Sequence, residues 1–499
     1  MTQPNNRSGW RLITGLALAA TALTPAHARP DAQTRPNIIL IVTDDQGYRD
    51  VGFNGSTEIR TPNIDRIARE GVRFTRGYVT YPVCGPSRAG LLTGRYQSRF
   101  GFDRNPNGDP ADPRGGVPKT EEMVSELLKR GGYSTKLVGK WHMGTHPTLR
   151  PRNRGFDEFY GFVEGGHSYR PEETNLEALE NSRKPYDWYR TKLIDNGARV
   201  HFKKYLTEEL SDRAVEFVSR KAAADQPFFL YLAYNAPHSP LQATDKYLAR
   251  FEHIKDPKRR TYAAMISAVD DGVGQLLDEL DRKGIAQDTL IFFISDNGGV
   301  VTAETGEQSV ADNGPLRGGK SQLFEGGVRV PFAMRWPRKL AGGKDYDRPV
   351  STLDIFGTIA SQTGIGARPG RHIDGVDLVP YLKGEKTGDP QPALYWRMFD
   401  QGRHAMVVGD LKYYYNGKQA VLFNLRSDPG ETKPMPVTDK TLIERLGQLY
   451  ANWNGQMARQ PAFPPLGTWP PKQGQPGKPG ANAAGKPGAK PAPPKEAQP

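Results

Sequence analysis

Four apolar runs, each ending on polar residues of catalytic type, constrain this chain more than any other feature. Residues 37–43 (Asn-Ile-Ile-Leu-Ile-Val-Thr) lead into Asp44-Asp45, and residues 134–139 lead into Lys140-Trp141-His142. Residues 227–234 lead into Asn235-Ala236-Pro237-His238, and residues 289–295 into Asp296-Asn297. Short, almost uninterrupted apolar strands need cover on both faces, the pattern of a sheet buried between layers. Helical patterns lie between them. Thr61-Pro62 opens one, with Ile64, Ile67 and Ala68 inward and Gly71 as its stop. A longer one spans about Arg259 to Lys283, with Tyr262, Ile266, Val269, Val273, Leu276, Leu277 and Leu280 on one face. Strands alternating with helices predict an α/β fold, a large mostly parallel sheet sandwiched by helices. Ligands gather at the carboxyl ends of such strands, and all four polar clusters fall there.

The texture changes past about residue 385. Ala393–Trp396, Ala405–Val408, Lys412–Tyr415 and Val421–Leu425 are separated by turns at Gly402, Gly409-Asp410 and Asn416-Gly417. They predict a small antiparallel sheet, followed by a helix near Thr441–Trp453. The expected organisation is a catalytic α/β domain over 36–385, a C-terminal subdomain over 386–458, and a disordered Pro/Gly/Lys-rich tail over 459–499. Residues 1–28 have the make-up of a signal peptide. Arg7 and Arg11 precede an apolar run from Leu12 to Leu23, then Ala26-His27-Ala28 offers a small-x-small cleavage site. The run is short for a membrane span, so the expectation is a periplasmic or secreted protein; an uncleaved anchor is the rival.

The net charge of +13 raises the question of a polyanionic partner. Export and the lack of a basic run of five or more argue against nucleic acid. A polyanionic substrate fits better, since a positive field concentrates it, although solubility alone explains the charge nearly as well.

Asp44, Asp45, Asp296 and Asn297 offer only oxygen donors, which suit a hard cation such as Ca²⁺ better than zinc. Taken singly, each pair is also what an ordinary strand-end turn looks like. The sole cysteine, Cys84, precedes Pro86, which suits a helix's first turn, with Gly94 as the stop. Residue 84 would then lie at a helix N-terminus that favours an anion, with Arg88 one turn along. A lone buried thiol that merely packs is the bland alternative.

The segment Cys84-Gly85-Pro86-Ser87-Arg88-Ala89-Gly90-Leu91-Leu92-Thr93-Gly94-Arg95 resembles the signature of the formylglycine-dependent sulfatases of the alkaline phosphatase-like superfamily. Gly132-Tyr133-x-Thr135-x-x-x-Gly139-Lys140-Trp141-His142-Met143-Gly144 is similar to the family's second signature. Leu422-Phe423-Asn424-Leu425-x-x-Asp428-Pro429-x-Glu431 resembles its closing strand. The resemblance covers roughly residues 36–455. It implies that a maturation enzyme oxidises Cys84 to formylglycine, and that one calcium ion is held by Asp44, Asp45, residue 84, Asp296 and Asn297. It also implies that Arg88, Lys140, His142, His238 and Lys320 bind sulfate oxygens and handle protons. In that scheme the hydrated aldehyde at position 84 attacks sulfur with help from Asp296. His238 or Lys320 protonates the departing sugar oxygen, and His142 deprotonates the second hydroxyl to expel sulfate. Gly165-Gly166-His167-Ser168-Tyr169-Arg170 resembles the pocket segment of carbohydrate-acting members, which offers His167 as a contact to a sugar hydroxyl. His146, His201, His253, His372 and His404 lack such context and are read as structural.

The expected activity is hydrolysis of a sulfate ester on a sulfated carbohydrate, with sulfated galactose or N-acetylgalactosamine as candidates. The rivals are a phosphonate monoester or phosphodiester hydrolase of the same superfamily and a non-catalytic glycan-binding protein on the same scaffold.

Overall fold

The four apolar runs lie side by side at the centre of one sheet. In the computed structural model, which describes residues 35–464 apart from 107, 185, 225, 302–309 and 437–439, strand Asn37–Thr43 pairs in parallel with Phe228–Ala233 on one side. On its other side it pairs in parallel with Thr289–Ser295. Ser134–Lys140 follows Phe228–Ala233, and Glu158–Phe162 follows it, both parallel. Short outer strands complete a ten-stranded mixed sheet among the described residues, with Phe332–Arg335 antiparallel against Thr289–Ser295.

Alternation along the central strand explains why it is apolar throughout. Ile39 and Ile41 face a core built with Leu210, Phe217, Tyr262 and Val269 of helices Leu206–Ala222 and Pro257–Arg282. Ile38, Leu40 and Val42 face the opposite core with Leu91 and Leu92 of helix Cys84–Thr93 and Phe356 and Ile359 of helix Leu353–Thr363. All five side chains are fully buried, each contributing about 1.5–3 kcal/mol. The expected helices are present as Pro62–Arg69 and Pro257–Arg282.

The C-terminal runs form a four-stranded antiparallel sheet, Leu394–Met398, Arg403–Val408, Leu411–Tyr415 and Ala420–Asn424, in chain order. Helix Lys440–Asn454 covers one face through Leu446, while Trp453 stacks on Tyr395. A buried ionic network joins this sheet to the larger domain. Lys412 Nζ lies 3.0 Å from Glu325 and 2.9 Å from Glu431, with all three side chains wholly buried. Tyr78 donates to the other Glu325 oxygen at 2.8 Å, and Arg317 donates to the Glu431 carbonyl.

One expected boundary is corrected. The tail was expected from residue 459, but Phe463 is buried edge-on against Phe102, and Ala462 N–H donates to the Gly101 carbonyl at 2.8 Å. An aromatic ring with a waiting pocket orders a segment that composition alone reads as disordered. Residues 1–28, expected as a signal peptide, and the tail beyond 464 lie outside the described residues. No described helix is long and apolar enough to cross a membrane.

Replacing Lys412 by Met should cost about 3–5 kcal/mol, because two buried carboxylates would lose their shared cation. Urea denaturation of the variant against the parent measures it, and a loss below about 1 kcal/mol would remove the network from any stabilising role.

Candidate active site

Parallel, in-register pairing of Thr43 with Ser295 delivers the two acidic pairs to the same place. Asp45 N–H donates to Asp296 Oδ1 at 3.3 Å, and Asn297 Nδ2 donates to Asp45 Oδ1 at 2.7 Å. Asp45 takes a left-handed φ of 65°, which aspartate tolerates better than most residues. Tyr262 fixes the turn, donating its hydroxyl to the Asp45 carbonyl and accepting from Gly47 N–H.

Cys84 opens its helix from the layer below. Val83 provides no side-chain cap; Asn105 Oδ1 instead accepts the Gly85 N–H at 2.9 Å. Gly94 ends the helix in the left-handed conformation, as the sequence predicted. Cys84 Sγ comes within 3.3 Å of Asp44 Oδ1 and 4.0 Å of Asp45 Oδ1. Burial, with Asp296 and Asp44 alongside, pushes the thiol far above its usual range. A group held so firmly protonated is a poor nucleophile.

Cations interleave with the carboxylates. Arg88 donates from Nε to Asp296 Oδ2 at 2.8 Å, and Tyr231 meets its Nη1 at 3.3 Å. Lys140 Nζ lies 2.5 Å from Asp44 Oδ2 and Lys320 Nζ 2.7 Å from Asp45 Oδ2. Three cations thus balance three carboxylates. Burial would raise the Asp45 pKa, but Lys320, His238 and the hydrogen bonds overcome it and hold the carboxyl well below its usual range. Asp296 moves the other way, up to about 6, because burial and the neighbouring Asp44 outweigh Arg88.

Two histidines complete the cluster as neutral rings. His142 has a left-handed φ of 59° and lies against Gly165, where a Cβ would come within 2.9 Å of its Nε2. Burial, with Lys140 and Arg88 close by, holds its pKa well below the ordinary value. His238 Nε2 is 3.7 Å from Asp45 Oδ2, and its Nδ1 lies 2.6 Å from the Ser239 carbonyl. Burial and Lys320 bring it down to about 3. The Arg88, Lys140 and Asp44 side chains are wholly buried, whereas Lys320 and His238 keep 19% and 12% exposure, so these two mark the open side.

The donor set fits a hard cation. One donor atom from each of Asp44, Asp45, Cys84 and Asp296 falls within 4.8 Å of the others, and all four residues are buried. Oxygens on opposite sides of a calcium ion are about 5 Å apart. Asn297 Oδ1 supplies the telling detail, since it is buried beside them without a hydrogen-bond partner. A divalent ion would leave the balanced cluster with two surplus positive charges, which suits a monoanionic ester meeting an ionised nucleophile.

The residues singled out in the sequence therefore meet in one cluster, with one exception. His167 is fully buried, and its ring nitrogens lie 2.7 and 2.8 Å from the carbonyls of Ser168 and Thr191. No ring atom remains for a sugar, and its expected substrate contact is corrected to structural support. Sequence reading missed Asn105 and Tyr231. Tyr231 sits in an apolar strand and reads as core, while Asn105 lies in an irregular loop without a pattern.

The family model described as "Sulfatase" matches residues 36–365, and the model "N-sulphoglucosamine sulphohydrolase, C-terminal" matches residues 319–449. The N-acetylgalactosamine-6-sulfatase of Canis lupus familiaris is 36% identical over 400 residues, 78% of this chain and 73% of that protein. The solved structure of Ps i-CgsB in complex with k-i-k-neocarrahexaose superposes with a TM-score of 0.79 at 39% identity, covering 86% of this chain and 94% of that one. The phosphonate monoester hydrolase of Agrobacterium radiobacter shares the fold at 21% identity and a TM-score of 0.61, covering 85% of this chain and 96% of that one.

Chelation followed by elemental confirmation of metal loss should lower the melting temperature, and calcium should restore it. At a hundredfold excess over the dissociation constant the ion stabilises by about 2.7 kcal/mol. Asn297→Ala should blunt the calcium response. A melting curve indifferent to both metal and variant would remove the assigned site.

Proposed function

The chain belongs to the sulfatase family and is a sulfuric ester hydrolase, and from that premise we propose that it hydrolyses sulfate esters of a sulfated carbohydrate. The observation that carries this reading is the clustering of Cys84, Arg88, Lys140, His142, His238 and Lys320 around four oxygen-donor residues at the ends of adjacent strands. The carbohydrate class is supported by relatives named N-acetylgalactosamine-6-sulfatase and by a structural relative solved in complex with k-i-k-neocarrahexaose. Every position expected of a catalyst is filled, which disfavours a binding-only role.

We assign Asp44, Asp45, Asp296 and Asn297 to hold a calcium ion, which when bound offsets charge on the sulfuryl oxygens and the nucleophile. Oxidation of Cys84 to formylglycine, supplied by a separate maturation enzyme, replaces an inert thiol with a hydrated aldehyde whose two hydroxyls attack and later release the sulfate. Asp296, in the same cluster as residue 84, accepts the nucleophile's proton. Arg88 orients Asp296 and faces the charge developing at residue 84. Lys140 and Lys320 flank the sulfuryl group from the buried and open sides. Neutral His142 can take the proton whose loss frees the sulfate. The ester's sugar must leave by the open side, where Lys320, held protonated beside Asp45, stands ready to supply a proton to its oxygen with neutral His238 alongside. Export to the periplasm or medium rests on the sequence of residues 1–28.

Mass spectrometry of the peptide spanning residue 84 in an active preparation should find formylglycine, and Cys84→Ser should lose turnover, because a serine ester has no second hydroxyl to expel sulfate. Full activity from an unmodified thiol would refute the assignment. Matched aryl sulfate and aryl phosphonate esters discriminate the rival activity.

Lys320→Ala and His238→Ala should impair a sugar sulfate far more than nitrophenyl sulfate. A sugar alkoxide needs a proton as it leaves and nitrophenolate does not, so a general-acid loss of roughly 10²–10⁴-fold should fall on the sugar alone. Equal losses in kcat/KM on both esters would restrict these residues to sulfate binding.

A further inference from the structure

Among the described residues, Tyr186 is the most exposed large hydrophobic side chain, at 64%. It also holds a left-handed φ of 68°, a conformation a bulky aromatic residue rarely adopts. Such strain persists where the surroundings impose it, and it clusters at ligand-binding positions. The imposing groups are visible. Asp187 Oδ2 accepts the N–H groups of Arg183 and Lys184 at 2.8 Å each, and Tyr189 N–H donates to the Tyr186 carbonyl at 3.0 Å.

The turn gathers three aromatic rings. Tyr186 lies 5.4 Å from Trp188 and 5.7 Å from Tyr189 between ring centroids, and Trp188 lies 6.1 Å from Tyr189. Tyr189 ties this cluster to the active site. Its carbonyl accepts the Ser168 N–H at 2.9 Å, and its ring occupies the space over Gly166, where a Cβ would come within 2.7 Å. Gly166 beneath the ring adjoins Gly165, against which His142 packs, and the Tyr189 hydroxyl lies within electrostatic reach of Asp44, Lys320 and Cys84. The cluster thus begins beside the open, leaving-group side of the site and runs outward to a solvent-facing ring. Exposed aromatic surface continuous with a polar cleft marks a ligand contact rather than core.

We propose that Tyr186 and Trp188 form a sugar-stacking subsite that receives a pyranose ring of the oligosaccharide beyond the sulfated unit. The apolar C–H face of a pyranose carries partial positive charge and matches the negative face of an aromatic ring. Tyr189 supplies the rigid backing and the link to Gly166 and Ser168. The subsite deepens the reading of a carbohydrate substrate and rests on it. It makes the enzyme one that prefers a sulfated unit embedded in a chain over the same unit alone.

Isothermal titration calorimetry with two chemically desulfated probes, a neocarrahexaose and a chondroitin hexasaccharide, measures the subsite without requiring hydrolysis. At least one probe should bind the wild-type enzyme. Tyr186→Ala and Trp188→Ala should each weaken that binding about tenfold, the worth of one covered aromatic face. Tyr186→Trp and Trp188→Phe should retain it, which separates stacking from a folding defect. In kinetics, the alanine variants should lower kcat/KM for the sulfated hexasaccharide about tenfold relative to that for nitrophenyl sulfate. Binding within twofold of wild type in both alanine variants, or no binding of either probe to the wild type, would overturn the subsite. Aromatic-dependent binding in an enzyme that releases sulfate only from nitrophenyl sulfate would uphold the subsite and sink the carbohydrate sulfatase reading instead.

Discussion

The in-register parallel pairing of Asn37–Thr43 with Thr289–Ser295 is the constraint on which the rest of the site depends. Each strand ends on residues that would repel one another if brought together bare. Pairing them places three carboxylates in one buried volume, and desolvation there would be prohibitive without compensation. Arg88, Lys140 and Lys320 supply that compensation from a helix, a strand two places along the sheet and a loop respectively. Three separate elements of the molecule are thereby bound to the same small cluster, and the geometry of the acid cluster dictates where each must stand.

The loop bearing Lys320 shows how far that dictation reaches. Lys320 N–H donates to the Gly299 carbonyl, and Ser321 N–H to the Pro82 carbonyl, stitching the loop both to the acidic turn and to the segment before Cys84. Arg317 carries the connection onward to the Glu431 carbonyl, and Glu431 meets Lys412 of the small sheet. The C-terminal sheet is therefore a buttress for the open side of the active site. Its four strands contribute no residue to the cluster around the acidic pairs, yet the position of Lys320 is referred to them.

What could be read in the sequence was what local pattern encodes. The central strands stand out because both faces are buried and every residue must be apolar. The cysteine helix stands out because proline and glycine punctuate it. The outer strands do not. Val72–Phe74 and Ala198–Val200 are three residues long, and Lys344–Tyr346 is largely exposed, so neither length nor alternation distinguishes them from loops. The buried Lys412 reads as a solvated residue before a tyrosine run, since a charge is hidden only by partners 87 positions away and on a later loop. His167 misled for a related reason: its segment does border the cleft, but the side chain turns inward and Tyr189 covers the outer surface. A motif locates a backbone; it does not say which way each ring points.

Every residue of the helix that begins at Cys84 is buried. The strand that closes over it, Thr289–Ser295, is synthesised roughly 200 residues later. At a synthesis rate of about 5–20 residues per second, some 10–40 seconds pass between the appearance of the thiol and the arrival of the wall that seals it in. During that interval the segment around residue 84 is an open peptide. Afterwards it is among the least accessible points of the molecule. The long separation in sequence between the two halves of the acid cluster thus leaves residue 84 exposed in the unfolded chain and encloses it only when Thr289–Ser295 has paired with Asn37–Thr43.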